Sequence, residues 1–412
     1  MLQKKVRAVT ACLLVWLLTL PGAWVAAQTT TPPTGAAFSL KNGDRVVFLG
    51  NSLFENDLQY GYLELALTTR WPDRNVTYRN IGWTGDNVFG EARSYITNPP
   101  TPYDLLIEQL TKAKPTVVFV AYGGIEAQEG EAGLPRFTEG LHKLLDKINE
   151  LGAKAILLSP IPVMSAEPGT TAPRNAMLER YGAAIARTAS ERGLRYIDIF
   201  KPIQEISRKT SVSDNGIHLN EAGYYYLASA LENGLGLPAR QEVHTINASK
   251  SGNTASAPVK LVVSESDKSS LKFTMDAPYL PLTPPKEDGR VMGNGQTIRI
   301  TGLKKGFYTL TADGAQVLTA SAKQWAEGVA LTQGPLMAQA SQLREMIVKK
   351  NELFFHQYRP QNRTYIVGFR SYEQGRHVKG LEDLNFIITW LEGQIALRRM
   401  PPSPVYQLSQ LN

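Results

Sequence analysis

Ser52 is the residue whose type and position first suggest chemistry. It follows Gly50 and Asn51 at the end of an apolar run that predicts a β-strand over Arg45–Leu49. A serine after such a strand would begin the next helix, where backbone N–H groups and the helix dipole stabilise a developing oxyanion. Serines after strands are more often helix caps, so Ser52 alone indicates either a nucleophile or a cap.

His218 is the candidate general base. It lies in the segment Ser213–Asn220, directly before a predicted helix. Asp214 and Asn215 precede it closely, and either side chain could orient the imidazole ring, because the partner of one ring nitrogen sets the role of the other. An isolated histidine is more often structural, so the function of His218 depends on whether the fold brings it to Ser52.

Glycines follow the second and third predicted strands. Gly82 and Gly85 lie after one strand, and Gly123 and Gly124 lie after the other. Such spacing indicates either a plain strand–helix turn or a backbone that approaches a ligand closely. A hydroxyl, glycine amides and an Asp–His pair at one edge of a sheet are together the groups that acyl transfer requires.

Alternating strands and helices are expected to position these residues. Short continuous apolar runs predict strands buried on both faces, as in a parallel sheet with right-handed helical crossovers. Sites in such sheets lie beyond the carboxyl ends of the strands. The predicted strands are Arg45–Leu49, Val76–Asn80, Thr116–Ala121, Ala153–Leu158 and Leu194–Ile199. The predicted helices are Gln59–Thr69, Tyr103–Thr111, Leu134–Leu151, Pro173–Glu191 and Asn220–Leu235.

The chain changes character after Leu237. Residues 238–256 are polar and predict a loop, whereas residues 257–322 predict a small antiparallel β-sheet or sandwich with a hairpin turn at Asp313-Gly314. Residues 323–400 predict a helical extension that packs on a domain over residues 39–240. The predicted elements are strands Val259–Ser264, Leu271–Met275, Gln296–Thr301, Gly306–Ala312 and Ala315–Ala320, and helices Pro335–Phe355 and Gly380–Leu397.

Residues 1–27 have the pattern of a secretory signal peptide. Lys4, Lys5 and Arg7 precede the apolar run Ala11–Leu20, which is too short to span a membrane, and Val25-Ala26-Ala27 forms a cleavage sequence. A signal anchor is the alternative, and residues 28–38 predict a linker. The pattern predicts a secreted or periplasmic protein with no membrane association after cleavage.

Composition excludes several function classes. Removal of the signal peptide lowers the formal charge from +7 to about +4, too little to indicate a nucleic-acid partner. The single cysteine, Cys12, lies inside the apolar run. The mature chain would therefore contain no thiol, which excludes a cysteine nucleophile, Cys-ligated zinc and disulfides. No metal-ligand cluster or phosphate-binding loop occurs in the sequence, and no cofactor is expected.

Four segments resemble the four conserved blocks of the SGNH/GDSL hydrolase family. In chain order they read G-N-S-L-F, N-I-G-W-T-G-D, Y-G-G-I-E and D-N-G-I-H-L-N. Longer strings, among them E-G-E-A-G-L-P-R-F and K-K-N-E-L-F-F-H-Q-Y-R-P-Q-N-R, are similar to a bacterial subgroup with a C-terminal extension. The resemblance implies a flavodoxin-like three-layer α/β/α sandwich with a five-stranded parallel sheet, followed by a β-rich and helical extension.

By position in these blocks, Ser52 matches the family nucleophile and His218 matches the base. The backbone amides of Ser52 and Gly85 match two oxyanion donors. The third block usually has an asparagine as a further donor, but this chain has Ile125 there. Loss of one such donor lowers turnover by about 10²–10³.

Two other positions depart from the family pattern. Asn51 stands where the first block usually has aspartate, and Asn215 stands where the family acid lies, three residues before His218. A wrong histidine tautomer costs roughly 10⁴ in turnover. Asp214, a backbone carbonyl or Asn215 itself would then have to hold the ring.

Five polar residues are candidate substrate contacts. The segment Phe355–Arg370 is rich in aromatic and cationic side chains, and it is either a packed joint or a flap over the edge of the sheet. In the second case Arg359 or Asn362 could partly replace the missing donor. The candidate contacts are Asn51, Asp86, Glu126, Arg359 and Asn362.

The sequence thus predicts a secreted serine hydrolase of small acyl esters, with acetyl esters on carbohydrate as the substrate that the resemblance implies. Its expected partner is a small-molecule or polysaccharide ester. Two alternatives remain open: a catalytically degenerate relative that binds carbohydrate without turnover, and a GDSL-type lipase or acylhydrolase.

Overall fold

The computed structural model describes residues 37–93, 100–165, 168–249, 252–262, 271–285, 295–359, 369 and 376–411. Predictions for residues 1–36 lie outside these ranges, as do Asn362 and most of the segment after Arg359. Among the described residues, no helix has the length and apolarity needed to cross a membrane. Residues Gly35–Asn412 cluster as one unit, and the predicted domain boundaries within it stay predictions.

A five-stranded parallel sheet organises the first part of the chain. Its strand order is β2-β1-β3-β4-β5, and every neighbouring pair is parallel. The strands are β1 (Arg45–Gly50), β2 (Thr77–Asn80), β3 (Val117–Ala121), β4 (Lys154–Leu158) and β5 (Arg195–Ile197). The predicted parallel sheet of five strands is confirmed.

Helices cover both faces of this sheet. Side chains alternate along β1, so that Val46 and Phe48 enter one hydrophobic core while Val47 and Leu49 enter the opposite core. The result is the predicted three-layer sandwich. The helices are α1 (Ser52–Asp57), α2 (Tyr62–Arg70), α3 (Pro102–Ala113), α4 (Leu134–Glu150), α5 (Pro168–Glu191), α6 (Phe200–Ser207) and α7 (Glu221–Gly234).

Two smaller sheets enclose a third core. Their orders are β13-β10-β6-β7 and β12-β11-β14-β9-β8. Asp313 and Gly314 both have positive φ, as the predicted hairpin turn requires. The strands are β6 (Glu242–Asn247), β7 (Thr254–Ala255), β8 (Val259–Val262), β9 (Leu271–Met275), β10 (Gln296–Thr301), β11 (Phe307–Ala312), β12 (Ala315–Ser321), β13 (Val329–Ala330) and β14 (Val405–Gln410).

The structure corrects two expectations about this part of the chain. Residues 238–256 were expected to form a loop but contain β6 and β7, and β6 pairs with β10 in parallel rather than antiparallel. In β6 only His244 and Ile246 are buried. Because the strand has few apolar residues, its sequence predicts a loop. Strand β14 was not predicted at all, although it lies between β9 and β11.

Three helices complete the described chain: α8 (Ala322–Glu327), α9 (Pro335–Tyr358) and α10 (Arg376–Arg398). Helix α9 packs on the parallel-sheet domain through Leu343 and Ile347, which belong to the same core as Val46 and Phe48. Lys350 is buried and donates to both oxygens of Glu64 at 2.8 Å. These contacts join α9 to α2 and to the core beside the parallel sheet, and the predicted extension over residues 323–400 stays a prediction.

Candidate active site

Ser52 is the first residue of α1, directly after the carboxyl end of β1. The end of β1 lies close against β3 at this point, because a Cβ atom added at Gly50 would lie 2.5 Å from the carbonyl oxygen of Ala121. Asn51 caps α1 by accepting a hydrogen bond from the Leu53 N–H at 3.1 Å. This leaves Asn51 Nδ2 directed towards Gly124, 3.5 Å from the Cβ position there.

His218 precedes α7 in a loop that is held by hydrogen bonds between its own residues. Ser213 Oγ donates to the His218 carbonyl at 2.5 Å and accepts from the Gly216 N–H at 2.9 Å. Ser213 and Leu219 also form an isolated antiparallel bridge. The loop thus presents the His218 ring from a fixed backbone.

Ser52 and His218 line the same pocket, at the carboxyl ends of β1, β3 and β4. The pocket has a volume of about 440 Å³, and Ile125 forms part of its wall. Neither Ser52 Oγ nor His218 Nε2 hydrogen-bonds another residue in the described part of the chain. A nucleophile–base contact that closes only when substrate is bound is common in ligand-free sites.

Asn215, not Asp214, contacts Nδ1 of the His218 ring. Asn215 Nδ2 lies 3.1 Å from His218 Nδ1, whereas Asp214 Oδ1 accepts a hydrogen bond from Asn220 Nδ2. Sequence reasoning left the choice between the two residues open. The structure places Asn215 beside the ring and places Asp214 at the start of α7.

Gly85 lies outside the lining of this pocket. It is solvent-exposed with a φ of +80°, in the loop that follows β2. The neighbouring Thr84 N–H donates to Glu55 on α1, and the Tyr358 hydroxyl donates to the Gly82 carbonyl at 2.7 Å. The loop is therefore held by α1 and by the end of α9, and the role of Gly85 as oxyanion donor stays a prediction.

Asp86 and Glu126 are buried behind the pocket rather than exposed to it. Asp86 Oδ2 accepts from Arg93 Nε at 2.8 Å and from the Tyr122 hydroxyl at 2.9 Å. Glu126 accepts from the backbone N–H groups of Val88 and Gly123, and burial raises the pKa of its carboxyl to about 7. Both carboxyls join the loops after β2 and β3, so this arrangement gives neither of them access to a substrate.

Arg359 also lies away from the pocket. Its guanidinium contacts Glu55 Oε1 at 2.7 Å and lies 3.8 Å from the centroid of the Trp83 ring. It thus fastens the end of α9 to α1 and to the loop after β2. Of the five predicted contacts, Asn51 lines the pocket; Asp86, Glu126 and Arg359 do not, and Asn362 lies outside the described residues.

The pocket contains residues that sequence reasoning missed. Pro160, Ile161 and Pro162 follow β4, and Arg174 and Met177 lie on α5. The end of β4 at Leu158 agrees with the prediction, and the position of the first group directly after this strand is the signal that identifies it. Among the described residues, no group of three or more His, Cys, Asp or Glu side chains could hold a metal ion.

Hydrolases with a serine nucleophile use this arrangement, in which a serine and a histidine share one pocket at the strand ends of an α/β/α sandwich. Residues 48–226 match the model of the GDSL-like Lipase/Acylhydrolase family. This part of the chain is similar to the SGNH/GDSL hydrolases, and the match supports a hydrolase that acts on ester bonds.

Solved structures give further similarities. BT4096, a gut microbial diltiazem-metabolizing enzyme, is 18% identical, with 90% of this chain and 99% of that chain covered and a TM-score of 0.66. A catalytic mutant of Axe2, an acetylxylan esterase from Geobacillus stearothermophilus, is 18% identical and has a TM-score of 0.41. The match covers 49% of this chain and 98% of that chain. The fold shared with BT4096 thus extends beyond the matched domain. No similar sequence was found among curated proteins.

Proposed function

We propose that this protein is an exported serine hydrolase that removes small acyl groups, such as acetyl, from carbohydrate. The observation that carries this proposal is the common pocket of Ser52 and His218 at the carboxyl edge of the parallel sheet. Export is supported by the signal-like pattern of residues 1–27, and N-terminal sequencing of the exported protein should begin at Gln28.

The reaction follows from the two side chains. His218 Nε2 takes the Ser52 hydroxyl proton while Oγ bonds to the ester carbonyl carbon, and the carbonyl electron pair moves to the oxygen. The Ser52 and Gly85 amides are the proposed donors to this oxyanion. Collapse breaks the bond to the alcohol, which leaves with the proton from His218. Water then attacks the acyl group, its proton passes through His218 to Ser52, and the acid is released.

A polar cavity beside the pocket supports a carbohydrate as the alcohol part of the ester. Its volume is about 1060 Å³, and it shares Pro162 and Val163 with the catalytic pocket. Its wall carries many hydroxyl, amide and carboxyl side chains, as a sugar-binding surface requires. These polar lining residues include Thr171, Asn175, Glu179, Gln204, Ser207, Ser211 and Asp214.

Hydrolysis of p-nitrophenyl acetate by the wild type and by Ser52→Ala tests the proposal. We expect kcat to fall at least about 10³-fold in Ser52→Ala, because removal of the nucleophile leaves only residual catalysis. A fluorophosphonate probe should label the wild type and leave Ser52→Ala unlabelled. Equal rates for the two proteins, together with no labelling, would contradict a serine hydrolase.

A second candidate function is ligand binding without turnover. It is favoured by the apolar Ile125 in the pocket wall and by the amide nitrogen of Asn215 at the His218 ring. Isothermal titration with acetylated xylo-oligosaccharide distinguishes the two functions: a binder gives heat and no released acetate, whereas a hydrolase releases acetate in a Ser52-dependent manner.

A further inference from the structure

The amide of Asn215 has a fixed orientation in the loop before His218. Its Oδ1 accepts hydrogen bonds from the backbone N–H groups of Ile217 at 3.0 Å and His218 at 2.8 Å. Backbone N–H groups can only donate, so the atom that faces both of them is the oxygen. The opposite end of the amide, which faces the ring, is therefore the NH₂ group.

The orientation of the amide determines the role of the nearer ring nitrogen. Asn215 Nδ2 lies 3.1 Å from His218 Nδ1, and an NH₂ group can only donate at that distance. Nδ1 must then be the unprotonated acceptor, which leaves the proton of the neutral ring on Nε2. Rotating the amide by half a turn would place Oδ1 beside Nδ1 and so favour a proton on Nδ1. It would also break both backbone hydrogen bonds, because the NH₂ group would then face two N–H donors.

We infer that Asn215 holds His218 in the tautomer that donates at Nε2, so that the base-competent tautomer is the minor one and limits turnover. This inference rests on the proposed function, in which Nε2 has to accept the Ser52 proton. Asn215 contacts the His218 ring rather than the reacting atoms and acts as a positioning residue for the ring.

An aspartate at position 215 would satisfy all three groups at once. One carboxylate oxygen would accept the backbone N–H groups of Ile217 and His218, and the other would accept a proton on Nδ1. The ring would then present a lone pair at Nε2. Asn215→Asp is therefore expected to raise activity, which is the opposite of what substitution of a purely structural loop residue would do.

Nitrogen NMR of the labelled protein at about pH 8 distinguishes the two neutral tautomers of the His218 ring directly. His218 is one of five histidines, and its signals are assigned by their absence in His218→Gln. We expect a protonated Nε2 in the wild type and a protonated Nδ1 in Asn215→Asp. A protonated Nδ1 in the wild type, or the same tautomer in both proteins, would overturn the inference.

Kinetics with p-nitrophenyl acetate gives the second readout. We expect kcat to rise by about tenfold or more in Asn215→Asp, since an incorrect tautomer costs up to roughly 10⁴ in a related triad. Lys209→Gln is the matched control, because it changes the charge by the same single unit on an exposed side chain six residues before Asn215. It should leave kcat unchanged. A fall in kcat for Asn215→Asp would count against the inference.

The two readouts separate the inference from the proposed function. If no variant shows Ser52-dependent hydrolysis, the proposed function fails, and the NMR result still decides which tautomer Asn215 selects. If hydrolysis depends on Ser52 but Asn215→Asp changes neither the tautomer nor kcat, the proposed function stands and the inference fails.

Discussion

Ile125 lines the pocket that contains Ser52, and its side chain has no group that could donate to an oxyanion. In the proposed reaction only backbone amides then stabilise the developing charge. Gln128 and Asn56 also line the pocket, but nothing in the geometry directs either of them to the Ser52 hydroxyl. The residue at position 125 is thus expected to set the rate more than the affinity.

Ile125→Asn should raise kcat for p-nitrophenyl acetate by about 10–10² and leave KM nearly unchanged, because the new donor acts where charge develops. Ile125→Leu keeps an apolar side chain of similar size and should behave like the wild type. An equal effect of both substitutions would show that packing, rather than a hydrogen-bond donor, governs the rate at this position.

Protonation of the Glu126 carboxyl, at the same edge of the sheet, makes the free energy of unfolding depend on pH. Its two oxygens accept from Val88 N at 3.0 Å and Gly123 N at 2.8 Å, and burial raises the pKa of the carboxyl to about 7. The unfolded chain loses this proton near its ordinary pKa of 4.5, before the folded chain does. The stabilising contribution is therefore complete below pH 4.5 and is lost as the pH rises through 7.

We expect the free energy of unfolding of the wild type to fall between pH 5 and pH 8 relative to Glu126→Gln, by up to about 3 kcal/mol. The amide does not titrate, although it leaves one N–H without an acceptor and lowers stability at every pH. Urea unfolding at several pH values measures the difference. The exposed Glu129→Gln is the control, and parallel curves for the wild type and Glu126→Gln would refute the coupling.

At the scale of elements, helix α9 is the main connection between the extension and the parallel sheet. Its Lys350 donates to both oxygens of Glu64 on α2 and to the Tyr78 carbonyl of β2, and all three contacts are buried. Tyr358 and Arg359 at its end contact the loop after β2. Among the residues that the structure describes, the extension thus supports the loop after β2 and does not line the pocket of Ser52 and His218.

Lys350→Met should lower the free energy of unfolding by about 3–5 kcal/mol, because it leaves the Glu64 carboxylate buried without its cation. Replacing Glu64 with glutamine in the same chain should recover part of the loss. The neighbouring Lys349→Met removes an exposed lysine and should change stability by roughly 0.5 kcal/mol or less. Urea unfolding that gives the same midpoint for both lysine variants would contradict this assignment.

Elements that depend on local pattern were predictable, and elements that depend on distant pairing were not. Strands β1, β3 and β4 contain short apolar runs, and the alternation of strands and helices predicted Ser52 and His218 at one edge of the sheet. Strand β14 carries alternating Tyr406 and Leu408, but its place between β9 and β11 follows from contacts made about a hundred residues apart. Likewise, the position of the family acid favours Asn215, but residue chemistry favours Asp214, so the sequence left the neighbour of the ring open.

At the scale of the whole molecule, the end of the chain completes the third core. Strand β14 is internal to its sheet, with β11 on one side and β9 on the other. Its Tyr406 and Leu408 are buried in the same core as Phe273 and Leu310. Strand β14 therefore joins two strands that lie about a hundred residues or more before it in the sequence.

In a chain that ends at Ser403, the two smaller sheets should no longer fold around the third core. Without β14, the inner edges of β9 and β11 have unpaired N–H and C=O groups, and the core around Phe273 is open to water. We expect a lower thermal midpoint and concentration-dependent aggregation by size-exclusion chromatography. Removal of Leu411 and Asn412 alone, which leaves β14 intact, is the control and should preserve the elution profile of the full chain. A monomeric Ser403 truncation with the wild-type unfolding transition would show that the two flanking strands close the sheet without β14.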